Sequence, residues 1–221
     1  MTAYSNRLTL SQDVAAPSAF GSALSGTDSH FQTDKFLLNR KVLSLGNKYY
    51  LYDENQQPLF FIDRPVLKIK AHIGIYTDDT KTNKLLTLTQ DSALALINQS
   101  FTLEDANNQP FAYFKRQGWA SVFRRTWKIF DANNQEVAIA KEDVLWKALL
   151  RRFFKDSLIG MLFVTNYIIT RPDGTKLGEF NRRRTLTDKH VADFTADSAR
   201  TLDRRMVVGM CVLLDNVERT R

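Results

Sequence analysis

Few residues in this chain are of types that do chemistry, and they are dispersed. His30, His72 and His190 stand far apart, and no two have the spacing that sets a pair of metal ligands on one element. There is no G-x-S-x-G, no phosphate-cradling P-loop, no G-x-G-x-x-G after a strand and no H-E-x-x-H. Asp53 with Asn55, Asp105 with Asn107 and Asp131 with Asn133 mimic the start of a calcium loop, but the glycine and terminal glutamate that such a loop needs are missing. Their chemistry is that of a turn, in which Asp caps the backbone and Asn tolerates positive φ. Cys211 is the only cysteine, so no internal disulfide forms, and within an apolar run its thiol is expected to pack rather than react. The expectation is a non-enzymatic protein with no catalytic residue, no metal and no cofactor.

What remains is cationic charge. The chain has 31 Lys and Arg against 24 Asp and Glu, a net charge of +7, which favours anionic partners: phospholipid headgroups, acidic proteins or nucleic acid. Three clusters stand out: Arg124, Arg125 and Lys128; Lys147, Arg151, Arg152 and Lys155; and Arg182, Arg183 and Arg184. The second lies in DVLWKALLRRFFK, Asp143 to Lys155, where Trp146, Leu149, Leu150, Phe153 and Phe154 recur with the period of an amphipathic helix. A cationic face opposite aromatic residues is the composition of a helix that can lie on an anionic membrane. In the third cluster, alternation along a strand is expected to set Arg182 and Arg184 together on an outer face. Lys147, Arg151, Arg152, Lys155, Arg182 and Arg184 are therefore the candidate site for an anionic lipid. Contact with other proteins is the alternative. Nucleic acid is a weaker one, because no RRM, KH or helix-turn-helix signature is present.

The elements that must carry these residues are legible from a repeat. YYLYDENQQPLFF (Tyr49 to Phe61), FTLEDANNQPFAYF (Phe101 to Phe114) and WKIFDANNQEVAIA (Trp127 to Ala140) share one pattern, with looser copies at Ile73 to Leu88 and Tyr167 to Phe180. Each sets β-branched or aromatic residues on both sides of an Asp, Asn or Gly turn, and so predicts a β-hairpin. Five hairpins and the segment near Leu43 predict about twelve strands, and repeated hairpins are best protected by closure into an antiparallel barrel. A second helix is predicted from about Ser198 to Val217, with Asp197 as its N-cap. Its middle, Met206 to Leu214, is apolar all round, which predicts burial on every side and a place inside the barrel. Gly209 and Cys211 would let barrel side chains come close, and Arg204 and Arg205 are expected at a mouth within reach of water. Residues 1–33, poor in charge and in apolar period, predict a mobile tail, and residues 34–221 a single domain.

From Lys35 to Val217 the chain resembles the tubby C-terminal-like superfamily, with its LURP-one-related and phospholipid scramblase-like branches. KVLSLGNKYYLYDENQQPLFF (Lys41 to Phe61) is similar to the opening hairpin of LURP-one-related proteins. TLTDKHVADF (Thr185 to Phe194) and LDRRMVVGMCVLLD (Leu202 to Asp215) resemble the last strands and terminal helix of the scramblase-like branch. The resemblance implies a twelve-stranded barrel around a central C-terminal helix, and a role at phospholipids. The scramblase calcium segment and membrane-spanning helix find no match, and no tubby phosphoinositide motif is present to carry over. The longest apolar stretches, Leu158 to Thr170 and Met206 to Leu214, are short of the about 20 residues of a spanning helix, so no transmembrane segment is expected. Without a secretory leader and with a single thiol, the expected location is cytoplasmic, extending to a peripheral place at the membrane.

Overall fold

In all five repeats the turn reverses the chain as its composition requires. Asp105 Oδ1 accepts hydrogen bonds from the N–H groups of Asn107 at 2.8 Å and Gln109 at 2.9 Å, and Asn108 takes a φ of 59°. The second DANNQ turn repeats this, with Asn133 and Gln135 donating to Asp131 Oδ1 at 2.9 and 2.8 Å and Asn134 at φ 59°. At the equivalent position the first repeat has Gln56 (φ 61°) and the last has Gly174 (φ 91°). A left-handed residue closing a type I turn produces the local slip in pairing seen beside these turns, for example between Leu103 and Glu104.

The computed structural model describes residues 28–41, 48–65, 70–92, 98–118, 125–143, 163–184 and 187–219. It contains β1 (Lys35–Lys41), β2 (Lys48–Tyr52), β3 (Pro58–Asp63), β4 (His72–Tyr76), β5 (Lys84–Gln90) and β6 (Ser100–Glu104). β7 (Pro110–Arg116), β8 (Thr126–Asp131), β9 (Glu136–Glu142), β10 (Phe163–Thr170), β11 (Lys176–Arg184) and β12 (Thr187–Asp193) follow, and α1 (Arg204–Arg219) ends the fold. Each strand pairs antiparallel with its sequence neighbours, and β1 pairs with β12 to close the barrel, from Lys35 opposite Asp193 to Lys41 opposite Thr187. Closure leaves none of these twelve strands with an edge open to another chain.

Period-2 alternation decides which side chains face inward. Tyr49 and Leu51 on β2, Phe101 and Leu103 on β6, Ala112 and Phe114 on β7, Ala138 and Ala140 on β9, and Tyr167 and Ile169 on β10 are buried. They converge on α1, where every residue from Met206 to Asn216 is buried. The helix is plugged into the lumen as expected, and its one glycine sits close to the wall. A Cβ on Gly209 would lie 2.7 Å from Leu103 Cδ2 of β6, so a side chain there would force the Leu103 side chain to shift.

Three expectations are corrected or sharpened. The helix begins at Arg204 rather than near Ser198. Its N-cap is Asp203, whose Oδ1 accepts from the N–H of Arg205 at 2.8 Å. Asp197 instead caps the preceding loop, accepting from the N–H groups of Thr201 and Leu202, both at 3.0 Å. Of the expected tail, the part described from Asp28 onward packs on the barrel: a 3-10 turn, Asp28–Phe31, buries Phe31 with its ring 5.0 Å from that of Phe60. The amphipathic segment predicted from Asp143 to Lys155 lies, beyond Asp143, outside the described residues.

Candidate functional site

An antiparallel meander sends alternate connections to opposite ends. The five hairpin turns, the entry to β1 and the loop from β12 to α1 all lie at one end, the turn rim. The connections after β1, β3, β5, β7, β9 and β11 leave from the other, the connector rim.

Arg204 closes the turn rim. It is 5 % exposed, not at the water-accessible position expected from sequence, because two carboxylates draw it inward. Its Nε lies 2.9 Å from Asp34 Oδ1 and its Nη1 2.9 Å from Asp197 Oδ2. The remaining N–H groups reach the carbonyls of Leu202 and Asp197, both at 3.0 Å, and Phe194 at 3.5 Å. Asp34 is shared with Arg200 at 3.1 Å, which in turn donates to Gln32 Oε1 at 3.0 Å. Burial alone would raise the Asp197 carboxyl, but the Leu202 N–H, the Thr201 hydroxyl and Arg204 outweigh it and hold the group below its ordinary value. With every guanidinium N–H engaged, this cluster ties the N-terminal segment, the loop after β12 and the helix start together. Arg204 has no donor left for a ligand.

Further along α1, Asp215 lies 3.6 Å from Nδ1 of His190 on β12, with both side chains buried. The His190 ring meets the edge of Phe180 at 5.3 Å. Burial, followed by the charge of Asp215, pushes the Cys211 thiol far above its ordinary value, so it stays protonated and inert. Among the described residues no three His, Cys, Asp or Glu side chains gather as a metal set, and no described helix is long and apolar enough to cross a membrane.

Outside the lumen, a hollow of about 630 Å³ opens on the turn rim between His30, Thr77, Thr82, Lys84 and Ala106. The Lys84 ammonium beside it donates to Asn108 at 2.6 Å. On the outer wall Tyr50, Tyr52 and Phe61 form an aromatic cluster, with ring centroids 5.1 Å apart for Tyr50 and Phe61 and 6.1 Å for Tyr50 and Tyr52.

Lys147, Arg151, Arg152 and Lys155 lie outside the described residues, but the strands that flank their segment, β9 and β10, meet it at Glu142 and Phe163 on the connector rim. Arg182 and Arg184 stand near the same rim at the end of β11. The register sets Arg182 opposite His190 and two residues beyond Phe180, both of which are buried. The side chains of Arg182 and Arg184, expected on an outer face, lie outside the described residues. In the remaining cluster Lys128 is neutralised by Glu136 at 2.6 Å, while the backbone N–H of Arg125 donates to Glu142 at 3.1 Å.

Sequence reasoning missed the Arg204 cluster. Its local signal was two aspartates just ahead of the apolar run, but the partner Asp34 is 170 residues away. It also missed the outer aromatics, which the YYLY alternation carries: Tyr49 and Leu51 fill the core, and Tyr50 and Tyr52 are left outside. Compared with known proteins, the chain matches no family model and no curated protein.

Proposed function

We propose that this chain is a non-enzymatic binding protein that recognises anionic phospholipid headgroups at the cytoplasmic face of a membrane. The recognising groups are cationic side chains outside the lumen, chiefly Lys147, Arg151, Arg152 and Lys155. The observation that carries this reading is the filled lumen. With Met206 to Leu214 buried across the barrel and the Arg204 guanidinium fully engaged at its mouth, binding moves to the exterior of a chain with a net charge of +7. The resemblance of Lys41 to Phe61 and Leu202 to Asp215 to the tubby C-terminal-like superfamily points the same way, because lipid contact recurs there.

Cosedimentation with phosphatidylcholine vesicles containing phosphatidylserine, at low salt, tests it. Basic residues near an anionic surface contribute about 1 kcal/mol each, so Lys147→Ala, Arg151→Ala, Arg152→Ala and Lys155→Ala together should bring sedimentation to background. A quadruple variant with native circular dichroism and unchanged sedimentation would overturn the assignment. The Tyr50, Tyr52 and Phe61 cluster favours a second reading, contact with another protein, since aromatic residues are enriched at interfaces. That reading gains if vesicles are not bound and partner capture is lost in a Tyr50→Ser, Tyr52→Ser variant.

A further inference from the structure

Beside the turn rim, the outer wall of β2 and β3 carries an aromatic surface that packs outside the core. Tyr50 and Phe61 are register partners on the two strands, and Tyr52 adjoins Tyr50 with ring centroids 6.1 Å apart. Phe61 is only 6 % exposed yet is no part of the core around α1, because the Tyr50 ring packs on it from outside. Tyr50 and Tyr52 are themselves half-buried, and among the described residues no cation lies over either ring. Two other partly exposed rings are treated differently. Lys115 lies over Phe130 at 4.7 Å and Arg205 over Phe111 at 4.5 Å, so those faces already hold a cation.

Carboxylates stand beside the open rings. Glu54 is in the β2–β3 turn, two residues past Tyr52, and the β4–β5 turn brings Asp78 and Asp79 to the Tyr50 hydroxyl. Burial first, and then Asp79 and Asp78, push that hydroxyl above its ordinary value, so Tyr50 stays neutral. Among the described residues no Lys or Arg pairs with Glu54, Asp78 or Asp79. Residues 48–63 and 72–83 together hold five Asp and Glu against Lys48 and Lys81. Lys81 is bound to Asp63 at 2.5 Å, and Lys48 stands opposite Asp63 at the far end of β2. The flanking cations are engaged as well, Lys35 with Asp193 at 3.7 Å and Lys84 with Asn108 at 2.6 Å. In a chain of net charge +7, this face is locally negative.

We propose that Tyr50, Tyr52 and Phe61, with Glu54, Asp78 and Asp79 beside them, form a docking surface for a basic segment of a partner protein. The inference rests on the protein-contact reading of these aromatics and names the partner's chemistry; it is separate from the phospholipid reading. An arginine or lysine of the partner supplies what Lys115 and Arg205 supply at Phe130 and Phe111, a cation over the ring face. The carboxylates hold its charge. The same carboxylates repel phosphate, which sets this face apart from a lipid headgroup site.

Fluorescence anisotropy with a labelled peptide of alternating arginine and glycine tests it, on variants whose circular dichroism is native. The unaltered protein is expected to bind this peptide and not its counterpart with aspartate in place of arginine. Tyr50→Ser with Tyr52→Ser leaves the charge unchanged and should weaken binding about tenfold, since each exposed ring contributes several-fold. Tyr50→Phe with Tyr52→Phe keeps both ring faces and should bind within about twofold of the unaltered protein. Glu54→Gln with Asp79→Asn should weaken binding several-fold, whereas Asp105→Asn with Asp131→Asn, the same change of charge at other turns, should not. Equal loss in the two acidic pairs with none in the serine variant overturns the proposal, because attraction is then general to the acidic turns. Absence of peptide binding, while capture of another protein is still lost in the serine variant, overturns the basic partner and leaves the protein contact standing. Binding of phosphatidylcholine vesicles that is lost in the serine variant assigns the rings to a choline headgroup and equally overturns it.

Discussion

Arg204 sits where a guanidinium is costly to bury, and Asp34, Asp197 and three backbone carbonyls offset that cost. Removing it strands a buried carboxylate, so Arg204→Ala should destabilise the fold by about 3–5 kcal/mol near neutral pH, measured by urea denaturation. The penalty should depend on pH with a defined sign. Because the Asp197 carboxyl is held below its ordinary value of 3.8, its contribution is present above that value and disappears as pH falls through the lower folded value. The stabilities of Arg204→Ala and the unaltered chain should therefore converge on acidification. A difference that stays constant down to the acid transition would show that Arg204 acts through packing alone. Two aspartates precede the apolar run in the sequence, with nothing local to distinguish their roles. Asp197 reads as the helix cap, whereas its carboxylate is claimed by the buried Arg204, and Asp203 is left to cap α1.

At the scale of elements, α1 is the core of the barrel rather than an attachment to it. Met206, Val207, Val208, Met210, Val212, Leu213 and Leu214 are each at most 7 % exposed. At about 1.5–3 kcal/mol per buried side chain, their removal costs roughly 10–20 kcal/mol, more than the about 5–15 kcal/mol that typically holds a domain together. Ending the chain before Leu202 should thus abolish cooperative unfolding and leave strands that aggregate. A soluble truncated protein with a cooperative thermal transition would show that the strands fold without their filling. The hairpins were legible in full because local chemistry decides them: an Asp cap, a residue at positive φ and alternation on both sides. The start of α1 was displaced by about two turns, since Ser198 to Leu202 carry no strong helix breaker and their loop conformation is imposed by hydrogen bonds to Asp197.

For the whole molecule, the filled lumen and the net positive charge act together. With binding moved outside and carried by charge, vesicle association should be strongly salt-dependent. Raising ionic strength from about 0.1 M to 1 M shortens the Debye length from about 10 Å to 3 Å, and cosedimentation should fall to near background. Association that survives 1 M salt would instead point to insertion of aromatic residues. Of the candidate site, its net charge and clusters were legible in the sequence, while the side chains of Arg182 and Arg184 lie outside the described residues.

By itself the sequence determined the five hairpins, the composition of their turns and a helix apolar on every side, because each follows from interactions within a few residues of chain. A barrel filled by its last helix is the arrangement that buries them all. The tertiary structure alone decided which strands close it, with β1 meeting β12 in full register. It also decided that Arg204 is buried, through an aspartate 170 residues away, and that the five hairpin turns gather at one end of the barrel. These are contacts and coincidences between distant parts of the chain, and no local pattern encodes a partner that only closure brings near.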